Sequence, residues 1–364
     1  MPNRRVIEAK LSDGRDLIYF DDADSKLTTE RAADSRPAVE RPPVAQMRLD
    51  SLTGDWISVA AARQNRAFLP PAHECPLCPT TPTNLSELPD RFDVAVFENK
   101  SPSFGPVLPQ QDNPDYAVVV NLELGSVRDS VGRCEVVVFS PEHTGSLASQ
   151  SVERVRTIIG AWAHRTKALN SLPGVRQVFP FENRGQEIGV TLHHPHGQIY
   201  SYPYVTPRTK KLLQSIEAFG PNLFQETLEF EQASSRVLIR SEHFTAYVPF
   251  AARWPIEVHL LPHRHVGTLD QLTDAEMDDL AVVYHRLLNA MDALYETPTP
   301  YISAWHQAPR VTGGEHVRLQ LQITSPRRAA DKLKYLAGSE SAMGAFIGDV
   351  APEQIAENLK KALA

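Results

Sequence analysis

The sequence predicts an α+β protein in which one fold is used twice, and three observations carry that reading. A β-rich run leading to proline and histidine occurs at Glu135–His143 and again at Glu257–His265. Each of these histidines stands eight residues before a helix-capping residue, Ser151 in one case and Thr273 in the other. Each is also followed 51 residues later by another histidine, His194 or His316, so helix, loop and returning strand repeat at one spacing. The 364 residues suffice for two units at the usual ~150 per domain.

Taken in order, residues 1–45 carry many charges and end in a Pro-rich stretch, Arg36-Pro37 to Arg41-Pro42-Pro43, and read as a peripheral extension. Residues 46–205 form the first half. Its helix after Ser151 places Val155, Ile158, Ile159, Trp162 and Leu169 on one face. Residues 206–235 read as a connecting helix or linker, and residues 236–345 as the second half. There the helix starts with a capping box, Thr273 and Glu276, and turns Met277, Leu280, Tyr284, Leu287, Leu288 and Met291 inward. Residues 346–364 end in an amphipathic helix with Ile355, Leu359 and Leu363 on one side.

Composition excludes several classes. Hydrophobic residues make up 42% and charged residues 22%, which excludes a wholly disordered chain. With 29 prolines against 18 glycines and no Gly period, ordered turns are expected rather than collagen or a flexible tether. The 37 basic and 44 acidic residues give −7, which argues against a general hold on nucleic acid and leaves a small phosphorylated ligand open. No run approaches the roughly 18–20 apolar residues of a membrane span, and Met1–Phe20 has no apolar signal core, so a cytoplasmic protein is expected.

Three cysteines do not make a secreted disulfide framework. Cys75 and Cys78 have the short spacing of two thiolates on one tetrahedral zinc, with buried or redox cysteines as the competing reading; His143 and His194 are the natural further ligands. Cys134 sits in an apolar run and reads as core. In His194-Pro195-His196-Gly197-Gln198 the period of two puts alternate polar tips on one strand face, and Pro195 places this backbone at an edge or in an irregular stretch. A neutral imidazole attacks phosphorus when its other nitrogen donates to a fixed acceptor, a role that His196 fits. Gly197 would let a phosphate approach, and Gln198 would hydrogen-bond it without adding a second acid or base. On the 51-residue spacing, His316-Val317-Arg318-Leu319-Gln320 aligns with this string, with Arg318 in the place of His196.

That string with Ile199-Tyr200, the upstream Cys75/Cys78 pair, Phe181-Glu182-Asn183-Arg184-Gly185 and Ser140-Pro141-Glu142-His143 resembles the galactose-1-phosphate uridylyltransferase family of the histidine-triad superfamily. Tyr247–Pro255 and Ser303–Pro309 are similar to further stretches of it, and the resemblance runs from about Arg48 to Tyr335. It implies two histidine-triad-like half-domains with antiparallel sheet and flanking helices, and a homodimer whose partner completes the site. It implies that His196 takes UMP from UDP-glucose as a phosphoramidate and passes it to galactose 1-phosphate, with Gln198 steadying the nucleotidyl group; related hydrolases have histidine at that position. Arg63 and Arg66, which follow the family-like Leu52–Ile57, are implied phosphate ligands, as are Asn99, Asn183 and Thr191. Lys334 and Glu340 are implied sugar contacts. The implied metal is one structural zinc on Cys75, Cys78, His143 and His194. Beside His306, where some members hold a second metal, Gln320, Gln322 and Leu212 replace its other ligands, so that metal is expected to be absent. Relatives that cleave ADP-glucose share part of the Lys334–Glu340 segment, which keeps a phosphorylase or adenylyltransferase as the alternative.

Overall fold

The structure, a computed structural model, describes residues 4–65, 68–106 and 123–364. In chain order the strands of the first half are β1 (Val6–Lys10), β2 (Asp16–Phe20), β3 (Gln46–Asp50), β4 (Asp55–Val59), β5 (Val94–Glu98), β6 (Val127–Asp129) and β7 (Arg133–Val138). Helix α1 (Val152–Asn170) follows, then β8 (Gln177–Arg184) and β9 (His196–Tyr202). Helices α2 (Pro207–Phe219) and α3 (Leu223–Gln232) lead into β10 (Val237–Arg240), β11 (Phe244–Tyr247), β12 (Ile256–Pro262), α4 (Asp274–Asp292), β13 (Tyr301–His306) and β14 (Gln320–Ser325). The small pair β15 (Arg327–Ala329) and β16 (Lys332–Leu333) and helices α5 (Gly338–Met343) and α6 (Pro352–Leu363) complete the chain.

Eleven strands form one antiparallel sheet in the order β1-β2-β5-β7-β9-β8-β13-β14-β12-β11-β10, and β4-β3-β6 form a separate small sheet. The order is palindromic about the β8–β13 seam: β8, β9 and β7 run outward on one side, and β13, β14 and β12 on the other. One fold used twice is what the chain adopts.

Local chemistry explains why the two long helices begin where they do. The Ser151 hydroxyl accepts from the Arg154 N–H, and Thr273 does the same for Glu276 in a reciprocal capping box. Each satisfies an amide that would otherwise lack a partner, worth about 1 kcal/mol. All the apolar residues assigned to the inner face of α1 are buried, as are those of α4 apart from the partly buried Met277. The two helices pack side by side on one face of the sheet, with Trp162, Tyr284 and Trp305 meeting at centroid distances of 6.1–6.3 Å. Helix α6 adds Ile355 and Leu359 to the same core. Among the described residues no helix is long and apolar enough to cross a membrane.

Two sequence expectations change. Residues 6–20, read as part of a peripheral extension, form β1 and β2 of the main sheet, with Leu17, Ile18, Tyr19 and Phe20 all buried. Charged neighbours on both sides mask this short apolar run in the sequence. The two halves also do not hold one register. Val136 pairs with Gln198, so a uniform shift of 122 would pair Val258 with Gln320, whereas Val258 pairs with Ile323. Arg318 therefore does not stand in for His196; it lies before β14, buried, and donates to Pro262 O and Gln225 Oε1. Pro195 lies in the irregular run just before β9, and β9 itself is an interior strand paired on both sides.

Candidate active site

Three separate segments converge on a cluster of four potential metal ligands. Cys75 and Cys78 come from the loop between β4 and β5, His143 from the loop after β7, and His194 from the run entering β9. Their ligand atoms all lie within 4.8 Å of one another. Cys78 Sγ is 3.5 Å from both His143 Nδ1 and His194 Nδ1, and Cys75 Sγ is 3.7 Å from His194 Nδ1. Sulfur at ~2.3 Å and nitrogen at ~2.05 Å from a tetrahedral zinc stand ~3.6 Å apart, so the spacing fits that ion. His194 Nε2 donates to Ser140 O at 2.7 Å, which sets the tautomer and leaves the Nδ1 lone pair facing the sulfurs. Burial, and then the neighbouring Cys75, push the Cys78 thiol up to about 12, while burial, with His143 and His196 adding to it, lowers the His194 imidazole to about 4. A cation among these groups favours the thiolate and the neutral imidazole together, the forms that bind metal.

The same run of backbone carries His194 into the cluster and His196 into a cleft of about 310 Å³. Along β9, His196, Gln198, Tyr200 and Tyr202 face the cleft side, and Gly197, Ile199 and Ser201 are buried on the other. The cleft is lined by Arg63, Asn99, Asn183, Thr191, His196 and Gln198. His196 Nδ1 donates to His194 O at 2.8 Å, so the ring's lone pair is on Nε2. Gly197 serves packing rather than phosphate approach, since a Cβ there would meet Phe139 Cζ at 2.8 Å and Phe181 O at 2.9 Å. Asn99 also caps its own turn, with Oδ1 accepting from the Ser101 N–H at 2.9 Å.

Two family models together match nearly the whole chain: the galactose-1-phosphate uridyl transferase N-terminal domain over residues 38–206 and its C-terminal domain over 204–364. The chain belongs to this family. It is 44% identical over 308 residues to the galactose-1-phosphate uridylyltransferase of Streptomyces lividans, covering 82% of this chain and 80% of that one. To the enzyme of the same name from Thermotoga maritima it is 34% identical, covering 87% and 98%. A solved uridylyltransferase structure superposes with a TM-score of 0.74 at 31% identity, covering 87% and 98%. An ADP-glucose phosphorylase from Arabidopsis thaliana, solved with bound ADP-glucose, shares the fold with a TM-score of 0.63 at 23% identity, covering 88% and 99%.

In this uridyl transferase family member, the other sequence candidates lie elsewhere. Lys334 and Glu340 form a buried pair, Nζ to Oε1 3.5 Å, in which Lys334 also donates to Ile347 O; neither lines the cleft. Arg66 lies outside the described residues. Residue-type reasoning missed Lys100, beside Asn99 in the cleft wall, and any role for Tyr200, whose hydroxyl donates to Gln198 Oε1 at 3.2 Å and accepts from Arg63 at 3.4 Å. The alternation along β9 was the available signal for Tyr200.

On the matching face of the second half, polar groups satisfy one another. His306 Nε2 donates to Gln322 Oε1 at 3.0 Å, and Gln322 Nε2 to Glu257 Oε1 at 2.7 Å. His259 Nε2 donates to the same carboxylate oxygen at 2.9 Å, and Gln320 Nε2 to His259 Nδ1 at 3.0 Å. Burial raises a carboxyl, yet the hydrogen bond from His259, with the Arg253 N–H and Gln322, holds Glu257 down at about 2. Burial, aided by Arg208, keeps His306 well below its ordinary value.

Proposed function

We propose that the protein transfers UMP from UDP-glucose to galactose 1-phosphate by double displacement through His196. The observation that carries this reading is the His196 imidazole, lining a cleft beside Gln198 with its Nδ1–H held by His194 O at 2.8 Å. Family membership and relatives named galactose-1-phosphate uridylyltransferase support the same activity. In the first step the Nε2 lone pair forms a bond to the α-phosphorus while the bond from that phosphorus to the bridging oxygen breaks, releasing glucose 1-phosphate. The positive charge that develops on the ring is stabilised because Nδ1–H already points at a carbonyl oxygen. In the second step a phosphate oxygen of galactose 1-phosphate takes the uridylyl group, the N–P bond breaks, and the neutral imidazole returns.

Arg63, Asn99, Asn183, Thr191 and Gln198 surround the diphosphate in this reading, donating to oxygens whose charge shifts as each bond breaks; Arg66 is assigned there on its sequence context alone. Lys334 and Glu340 do not reach this cleft within one chain, so their sugar contacts require a second copy, in keeping with a homodimer. Cys75, Cys78, His143 and His194 would hold one zinc. With four protein ligands it has no open position, and its part is to anchor the backbone that carries His196. No second metal is proposed beside His306, where Gln320 and Gln322 supply amides in place of imidazoles.

The mass of the intact chain after incubation with UDP-glucose or ADP-glucose tests this. A uridylyl adduct on the wild type that His196→Gly does not form is the expected result. An adenylyl adduct from ADP-glucose in its place selects the phosphorylase reading, and no adduct from either donor overturns both.

A further inference from the structure

We propose that Tyr200 is a positioning residue: its hydroxyl sets which end of the Gln198 side-chain amide faces the reacting phosphate. The two side chains lie on the same face of β9, two residues apart. The Tyr200 ring is fixed by edge-to-face packing, 5.0 Å from Phe181 at 88° and 5.9 Å from Phe104 at 68°. That places the phenolic oxygen between Arg63 Nη1, at 3.4 Å, and Gln198 Oε1, at 3.2 Å. Arg63 is itself anchored, donating to Ser103 Oγ at 2.5 Å.

The direction of the chain of hydrogen bonds follows from what each group is able to do. A guanidinium has donors and no acceptor, so the Tyr200 oxygen accepts from Arg63. Its single proton is then directed to Gln198, whose oxygen, not nitrogen, takes it. Among the described residues nothing accepts from Gln198 Nε2, and Gln198 lines the cleft. Turning the amide over would set its NH₂ against an oxygen already accepting from Arg63 and would leave the phenolic proton without an acceptor, at the cost of a hydrogen bond. The orientation matters because a phosphoryl oxygen needs a donor: Nε2 stabilises the charge that moves onto it, and Oε1 in the same place would repel it. A phenylalanine at 200 packs equally well but offers nothing to choose between the two ends. Both contacts sit at the long end of the hydrogen-bond range, so the effect is a bias, not an all-or-none lock.

The kinetic consequence rests on the nucleotidyl-transfer reading; the side-chain orientation does not. The experiment is a double-mutant cycle on the single-turnover rate of nucleotidyl-enzyme formation from UDP-glucose, using wild type, Tyr200→Phe, Gln198→Ala and the double variant. Tyr200→Phe is expected to lower that rate roughly 3- to 10-fold with donor affinity and Tm held near wild type, a split that a merely structural role does not give. In the Gln198→Ala background the same change is expected to cost less than about 2-fold. Wild-type kinetics in Tyr200→Phe, or an equal penalty with and without Gln198, overturns the proposal. If the wild type forms no adduct, the transfer reading fails by itself. The orientation is then read from the Gln198 side-chain amide NMR signals, which Tyr200→Phe is expected to shift; unchanged signals sink it.

Discussion

The cleft face of the first half and the matching face of the second carry similar side chains and differ in where their hydrogen bonds go. On β14 and its neighbours, His259, Gln320, Gln322, His306 and Glu257 hydrogen-bond to one another, with Arg208 and the Arg253 N–H as further donors. On β9, the carbonyl of His194 takes the His196 Nδ1 proton and Tyr200 takes up the Gln198 oxygen, so that both side chains are oriented in a cleft wall. Similar residue types on two sheet faces are thus oriented by different partners. These internal hydrogen bonds stabilise the second half, while those of the first half orient His196 and Gln198 in the cleft wall.

The sharpest way to break this contrast is to remove one residue from each face. His196→Gly is expected to lower turnover by at least about 10⁴-fold, whereas Gln320→Ala stays within about 2-fold; steady-state kinetics of both variants checks it. Next in size is the metal cluster, which has no counterpart among the described residues of the second half. Cys75→Ser is expected to drop zinc well below one per chain by elemental analysis and to cost about 3 kcal/mol or more in denaturant unfolding.

The seam supplies a third comparison, since Glu182 of β8 lies directly opposite Ser303 of β13. Burial raises the Glu182 carboxyl to about 7, above its ordinary 4.5, despite a hydrogen bond from Tyr301 and the charge of Arg184. The folded chain therefore holds a proton that the unfolded chain has released. The associated stability is complete below pH about 4.5 and is lost as pH rises through about 7. Thermal melts at intervals from pH 5 to 8 are expected to show this fall, and Glu182→Gln to flatten it. The smallest effect belongs to the network: Gln320→Ala, which strips the partner from His259 Nδ1, is expected to cost about 1 kcal/mol of stability in urea unfolding.

Legibility differed with the kind of information each feature needs. The caps at Ser151 and Thr273 and the inward faces of α1 and α4 follow from spacing within a few turns, and the structure has them as read. The cysteine pair with two histidines was legible from donor chemistry, although Cys75 and His194 lie 119 residues apart. The register of β14 was not legible. The loop from β8 to β9 has 11 residues (185–195) and that from β13 to β14 has 13 (307–319), so a constant histidine spacing hides a displaced strand. A similar stretch of sequence implies Lys334 and Glu340 as sugar contacts, and only the fold shows them paired with each other, away from this chain's cleft.

By itself the sequence determined what is local or chemical: two capped amphipathic helices, a strand with alternating polar tips, and a soft donor set whose residue types favour one kind of ion. Those properties depend on neighbours a few residues away, or on the side chains' own chemistry, and they survive without knowledge of the fold. The tertiary structure alone decided which lone pair faces the cleft, that Gly197 is required by Phe139, and that the glutamines of β14 answer to Glu257 and His259. Hydrogen bonds act over about 3 Å and in fixed directions, so only the packing of strands distant in sequence determines which groups they join.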